Sequence, residues 1–347
     1  MRSRPKGIRR AVRRDRANSY LLASLLTFAA TVIGVRVFLQ LTGFPQIGNS
    51  VLHVAHALWG GLLLFVAAML PLALANRWAI QASALLSGAG IGLFIDEVGK
   101  FITQTNDYFF PPALSIIYGF FLLAVVVYLY LRTPRRDDPR VAMYHALEGL
   151  PDVLDGDLDT AEAHRIKGQL ATAEQSDRME LASLASALIA YLQREEGHLA
   201  QASPTYWNKL ASRIEAAGRR TGRRSHRIII AGLMFLWLII VVGYIAVLIR
   251  GGDNLDSQVL QWRVPLLVIQ VTIGGLMIAA LISWFTGNEN RGLSVAVGGF
   301  LLSLVALQTL YFYLSQFSAL TATLLQLAIL LVLFAYRRWY LSDGTPA

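Results

Sequence analysis

Cysteine is absent from all 347 residues. That removes disulfides, thiolate catalysis and cysteine-ligated metals, and leaves the redox compartment unmarked. Charge is scarce as well: Asp, Glu, Lys and Arg make up 15% of the chain, where a soluble domain carries about 25%. The chain has no phosphate-cradling GxxxxGK[ST], no HExxH and no GxSxG, so none of these patterns frames a reaction. Gly88-Ala89-Gly90-Ile91-Gly92 has the look of a nucleotide loop. It lies inside a spanning run, however, where closely spaced glycines are a packing surface.

What fills the chain instead is apolar: hydrophobic residues are 55% and mean hydropathy is +0.50. Several runs of roughly 20 apolar residues are each long enough to cross a hydrocarbon core of ~30 Å. The net charge of +9 is bunched at Arg2–Arg16, Arg132–Arg140, Arg219–Arg227 and Arg337–Arg338. Each bunch abuts an apolar run, as expected of cytoplasmic segments. This pattern selects the lipid bilayer as partner and not nucleic acid.

Taken in order, residues 1–18 form a basic cytoplasmic arm suited to anionic lipid headgroups. The apolar run from Tyr20 to Leu39 is too long for the core of a cleaved signal and reads as an uncleaved first span. Further spans follow at about Ser50–Leu74, Ala79–Ile102 and Ala113–Leu131, completing a first four-helix half over residues 19–132. Residues 133–227 are different in kind. They hold most of the acidic residues and no spanning run, and they read as a cytoplasmic bundle of three or four helices. Asp159-Thr160-Ala161-Glu162 has the form of a capping box, and Ser203-Pro204 of an N-cap followed by a first-turn proline. Leu181, Leu184, Ala185, Leu188, Ile189 and Leu192 make one apolar face at helical spacing. Asp155, Asp157 and Asp159 do not make an EF-hand, because Thr160 and Ile166 stand where it needs Gly and Glu. His145, His164 and His198 have no metal spacing.

A second four-helix half covers residues 228–338, with spans near Ile228–Ile249, Val264–Phe285, Leu293–Leu314 and Ala319–Tyr336, before a cytoplasmic tail at 339–347. The fold expected is therefore all-α: a polytopic protein of about eight transmembrane helices in two halves joined by the helical insert. The charge clusters put both termini in the cytoplasm and the chain in the plasma (inner) membrane. Trp59-Gly60-Gly61 and Ile273-Gly274-Gly275 are loosely alike, as are the glycines of spans 3 and 7, which suggests a parallel duplication. Gln270, Thr272, Gln308, Thr309 and Gln326 are the sparse polar residues of the second half, which reads as mainly structural.

The first half carries the ionisable residues. Helix rise from Ala79 to Asp96 is roughly 25 Å, which sets Asp96 near the outer edge of the core. Arg36, His53, His56, Glu97 and Lys100 fall at similar heights in spans that short loops make neighbours. Ala84, Gly88, Gly92, Asp96 and Lys100 lie on one face of span 3, and Glu97 is turned about 100° away, in line with Gly90. Asn106 and Asp107 lead a polar and aromatic outer cap that ends at Pro111-Pro112.

An intramembrane ionisable residue is by default a functional hypothesis, and the layer admits several readings. It is a structural ion-pair layer that fixes register, or it lines a proton or ion path of a transporter or conducting protein. His53 and His56 with Asp96 or Glu97 also form a donor set for a divalent metal such as zinc, which makes a metal-dependent intramembrane hydrolase a further alternative. Against it stands the lack of a third transmembrane histidine, since His226 sits at the inner end of span 5. The last reading is a scaffold or sensor in which residues 137–227 bind a protein partner.

Overall fold

A computed structural model describes residues 11–43, 55–108, 110–132, 138–156, 158–195, 222–251, 257–315 and 317–341. The chain is an all-α polytopic membrane protein: eight of its described helices are long and apolar enough to cross a bilayer. It divides into two compact units, residues 1–97 with 123–205 and residues 98–122 with 206–347.

The first unit holds α1 (Ala17–Thr42), α2 (His56–Ala73) and α3 (Arg77–Asp96). Helix α1 stops at Gly43, whose φ of 71° only glycine adopts without strain, and whose N–H caps Leu39 O. Helix α3 packs against both others, and its glycines decide how. A Cβ at Gly88 would stand 2.1 Å from Thr27 Oγ1 and 2.2 Å from Ser24 O, and one at Gly92 would stand 2.9 Å from Thr31 Cβ, so this row faces α1. Gly90 faces α2: its Cβ would come within 2.8 Å of Gly60 O, and a Cβ at Gly60 within 2.8 Å of Gly90 O. Small residues thus bring α3 against two neighbours on two faces.

Span 3 is shorter than the hydropathy suggests. The helix is interrupted at Glu97 (φ −90°, ψ 11°), and residues Val98–Ile102 form a separate short turn, α4, that belongs to the second unit. The interruption falls at the residue whose side chain accepts from the start of α2, as described below.

Helix α5 (Pro112–Arg132) carries the unit boundary within it: residues 112–122 group with the second unit and the remainder with the first. Three shorter helices follow among the described residues of the first unit: α6 (Pro139–Leu154), α7 (Thr160–Glu174) and α8 (Met179–Glu195). Asp138 caps α6 ahead of Pro139 in the first turn. Asp159 caps α7 by accepting from the Glu162 N–H at 2.7 Å. The capping box is only half made, because Glu162 turns its carboxylate to Arg16 and Arg77. Leu181, Ala185, Leu188, Ile189 and Leu192 of α8 join a core with Met143, Ile166 and Leu170. Leu184, expected on that face, is 45% exposed. Ser203-Pro204 and His198 lie outside the described residues.

The second unit holds α9 (Arg223–Arg250), α10 (Ser257–Gln261), α11 (Arg263–Phe285), α12 (Glu289–Leu302), α13 (Gln308–Ser315) and α14 (Phe317–Tyr336). Helices α12 and α13 form one span through a π-turn, Ser303–Leu307, in which the Gln308 N–H reaches back to Ser303 O. The core here is large side chains: Met234, Trp237, Met277, Trp284, Phe300 and Tyr336 are buried together. The start of α5 is pinned to it, with Ser115 Oγ donating to Thr309 O and Tyr118 Oη donating to Leu304 O, both at 2.9 Å.

Candidate functional site

Four of the ionisable residues singled out in the sequence meet in the first unit, each delivered by a different local rule. Arg36 sits in the last turns of α1, His56 opens α2, Asp96 closes α3, and Glu97 follows at the helix break. Arg36 Nε donates to Asp96 Oδ1 at 2.5 Å and Arg36 Nη2 to the Asp96 carbonyl at 3.1 Å. His56 Nε2 lies 3.1 Å from Asp96 Oδ2, and His56 Nδ1 lies 3.2 Å from Glu97 Oε1. The other oxygen of Glu97 accepts the Ala57 N–H at 3.3 Å.

Each contact has a physical cause. The α1-facing glycine row of α3 ends at Asp96, so the carboxylate emerges where Arg36 crosses. Glu97, one residue on, is turned toward α2. Among the described residues helix α2 has no side-chain cap of its own, and its first N–H groups need an acceptor. Glu97 supplies one from a neighbouring helix, and the positive end of the α2 dipole favours its charge. A lone charge at mid-membrane costs about 2.5–3.5 kcal/mol; here each carboxylate has partners.

Burial is graded across the cluster. The side chains of Asp96 and Glu97 are 0% exposed and that of Arg36 is 6% exposed, while His56 is 23% exposed. His56 therefore connects the outside of the unit to the two carboxylates. A neutral imidazole has one N–H to donate, so it can satisfy one carboxylate at a time; the imidazolium has two and can satisfy both. Proton occupancy of this ring decides which hydrogen bonds the cluster makes.

Lys100, Asn106 and Asp107 belong to the second unit. Lys100 Nζ sits 5.4 Å from the centre of the Tyr108 ring, Asn106 adopts a left-handed φ of 52°, and the Asp107 N–H donates to Thr103 Oγ1 at 2.7 Å. They form a local cap on the chain leaving α4. His53 lies outside the described residues. Among the described residues, no three His, Asp or Glu side chains converge as metal ligands, and Arg36 already occupies one oxygen of Asp96.

A second charged assembly in the same unit escaped the sequence reading. Arg14 Nε pairs with Glu148 Oε1 at 3.0 Å, Arg16 pairs with Glu162, and Asp15 pairs with Arg165. Arg77, at the start of α3, bridges Asp152 and Glu162. Asn76 Nδ2 donates to Asp155 Oδ2 at 2.8 Å, and His145 Nε2 lies 3.0 Å from Arg13 O. The described part of the basic arm is thus matched to acids of α6 and α7. The signal was present: the most basic and the most acidic segments of the chain are complementary. Asp152 titrates above the usual carboxylate range because burial outweighs the attraction of Arg77.

The class that fold and site define is a multi-pass all-α membrane protein with an ionisable cluster between three spans. No protein-family model matches the chain, and neither a curated protein nor a solved structure matches it.

Proposed function

We propose that the protein moves protons, or a solute coupled to protons, through its first unit, with His56, Asp96 and Glu97 as the proton-handling groups and Arg36 as the fixed counter-charge. The observation that carries this is the bridging imidazole, whose two nitrogens each face a buried carboxylate. His56 takes up a proton from the exposed side. Arg36 donates to Asp96, and Glu97 accepts the Ala57 N–H and faces His56. Glu97, which faces the second nitrogen of His56, is the carboxylate to which we assign the proton. Imidazole changes charge between about pH 5 and 8, which suits a relay near neutrality, and ionisable chains inside spans mark such paths. The reading carries with it a plasma-membrane location with both termini cytoplasmic, since every basic cluster abuts a span on that side.

The test is flux into vesicles holding the purified chain, a trapped pH dye and an imposed potassium diffusion potential. We expect acidification above that of empty vesicles, slowed about tenfold or more in His56→Gln and Glu97→Gln, as for loss of an acid–base group. Flux that matches empty vesicles, or that is unchanged in both variants, overturns the proposal.

A second reading, a scaffold or sensor acting through residues 137–227, is favoured by one observation: Arg77 ties α6 and α7 directly to the first turn of α3. A protein partner captured by the full chain and lost in Arg77→Ala supports it; capture that ignores that substitution counts against it.

A further inference from the structure

The second unit contains a groove that the proposed relay does not use. It has a volume of about 580 Å³ and lies between α9, the α12–α13 span, α11 and α14. That volume is within the range of about 300–1,000 Å³ typical of small-molecule sites. Its lining on α9 runs from Trp237 to Val247, about 15 Å by helix rise. Tyr244 and Val247 are exposed, so the groove opens at the surface of the unit. No charged side chain lines it among the described residues.

Its polar groups are what call for a ligand. Gln270 and Gln308 are each 1% exposed, and the Oε1 of each is buried with no hydrogen-bond partner. The indole Nε1 of Trp237 is also buried and unpartnered. All three residues line the groove. The Gln270 amide is fixed in place because its Nε2 donates to Tyr311 Oη at 2.8 Å, while the Tyr311 ring packs against Tyr244 at 5.5 Å, tilted by 42°. Gln308 is aimed by the π-turn that ends just before it, a distortion found disproportionately at functional sites. Inside a bilayer there is no bulk water to satisfy such atoms, and buried polar groups are nearly always paired.

We infer that this groove binds an uncharged, hydroxyl-bearing lipid of the monoacylglycerol type. The two carboxamide oxygens call for two donors, which the two free hydroxyls supply. The indole N–H calls for one acceptor, which the ester carbonyl supplies. The apolar wall along α9 takes the acyl chain, and the absence of charged lining excludes a phosphate or ammonium headgroup. The site is separate from the His56 cluster, so either reading stands or falls without the other.

The test uses the full chain in phosphatidylcholine nanodiscs with a monoacylglycerol that carries a diazirine in its acyl chain. Photolabelled positions are mapped by peptide mass spectrometry. We expect label on α9 between 237 and 247 and on facing residues of α13 and α14, reduced about tenfold when both acceptors are removed in Gln270→Leu/Gln308→Leu. The matching diazirine fatty-acid methyl ester has the same tail and no hydroxyl, and should label these positions at the level of the double variant. Gly243→Leu provides a second blocking variant. Gly243 lines the groove and a Cβ there meets nothing within 4 Å, so the substitution fills the space without a backbone clash. Methyl-ester labelling equal to that of the monoacylglycerol would mean a groove filled by any acyl chain and would overturn the proposal. So would labelling that survives Gly243→Leu, or no label in the groove at all.

Discussion

Spans α1–α3 and spans α9–α14 solve the same problem of helix association in different ways. In the first unit the contact surfaces are glycine: Gly88 and Gly92 against α1, Gly90 against Gly60 of α2, with neighbouring backbone where a Cβ would go. In the second they are bulk: Trp237 packs on Phe300, Trp284 on Tyr336, and Gly275 and Gly298 have nothing within 4 Å of a notional Cβ. Gly292 closes on backbone, Ala280 O at 2.9 Å, whereas Gly299 closes on the flexible end of the Met277 side chain. The lesson concerns reach. Helices drawn in by glycine leave little room for side chains between them, so ionisable groups at the ends of the glycine rows meet at hydrogen-bond distance. Helices held apart by large side chains leave a groove between them. The glycine pairs that make the two halves look alike in sequence therefore play different parts.

The largest effect should come from breaking the charged cluster. Asp96→Ala removes the carboxylate of a buried ion pair with Arg36, and breaking a buried pair from one side costs about 3–5 kcal/mol. Thermal unfolding in detergent should show it, and Arg36→Leu/Asp96→Leu should recover most of the loss by removing both charges. A double variant no more stable than Asp96→Ala would mean that the pair shapes the unit beyond its charge balance. The corresponding change in the second unit should run the other way. Gln326 is fully buried, both of its amide atoms are without partners, and it does not line the groove. Gln326→Leu should raise stability by about 1–3 kcal/mol, the cost of an unpaired buried polar group.

Adding one methyl group sharpens the packing contrast. Gly88→Ala forces a Cβ into the backbone of α1 and should destabilise by about 1–3 kcal/mol. Gly275→Ala meets open space and should be neutral or stabilising by up to about 1 kcal/mol through helix propensity. Equal effects of the two substitutions would erase the distinction between the units.

The sequence disclosed much of this because bilayer physics leaves few choices. Apolar runs of spanning length have to be helices, and the eight spans follow from that alone. The four-step row from Ala84 to Asp96, with Glu97 turned away from it, is readable from helical phase, and the structure has those two carboxylates on α1 and α2 respectively. What stayed hidden depends on tertiary partners. Nothing local to Glu97 marks a helix break or its contact with the start of α2, which lies 40 residues away in the chain. Nothing local to Glu162 distinguishes a capping box from a bridge to Arg16 and Arg77. The π-turn before Gln308 leaves no local signature in an apolar run, so Gln270 and Gln308 read as stray polar residues and not as two walls of one groove.

The smallest effect tests the junction between α3 and the α6–α8 bundle. Asp152 is held above the usual carboxylate range in the folded chain because its burial outweighs the nearby Arg77 guanidinium. The folded state then binds this proton more tightly than the unfolded state does. Its contribution to stability is greatest below the unfolded value and declines as pH rises through the raised folded value. Asp152→Asn removes this titration while keeping the shape. Unfolding of the two proteins compared from mildly acidic to neutral pH should show the wild type losing ground relative to the variant as pH increases. A wild type that gains on the variant over that interval would mean that Arg77 attraction, and not burial, governs Asp152, making the junction an ion pair that favours the ionised acid.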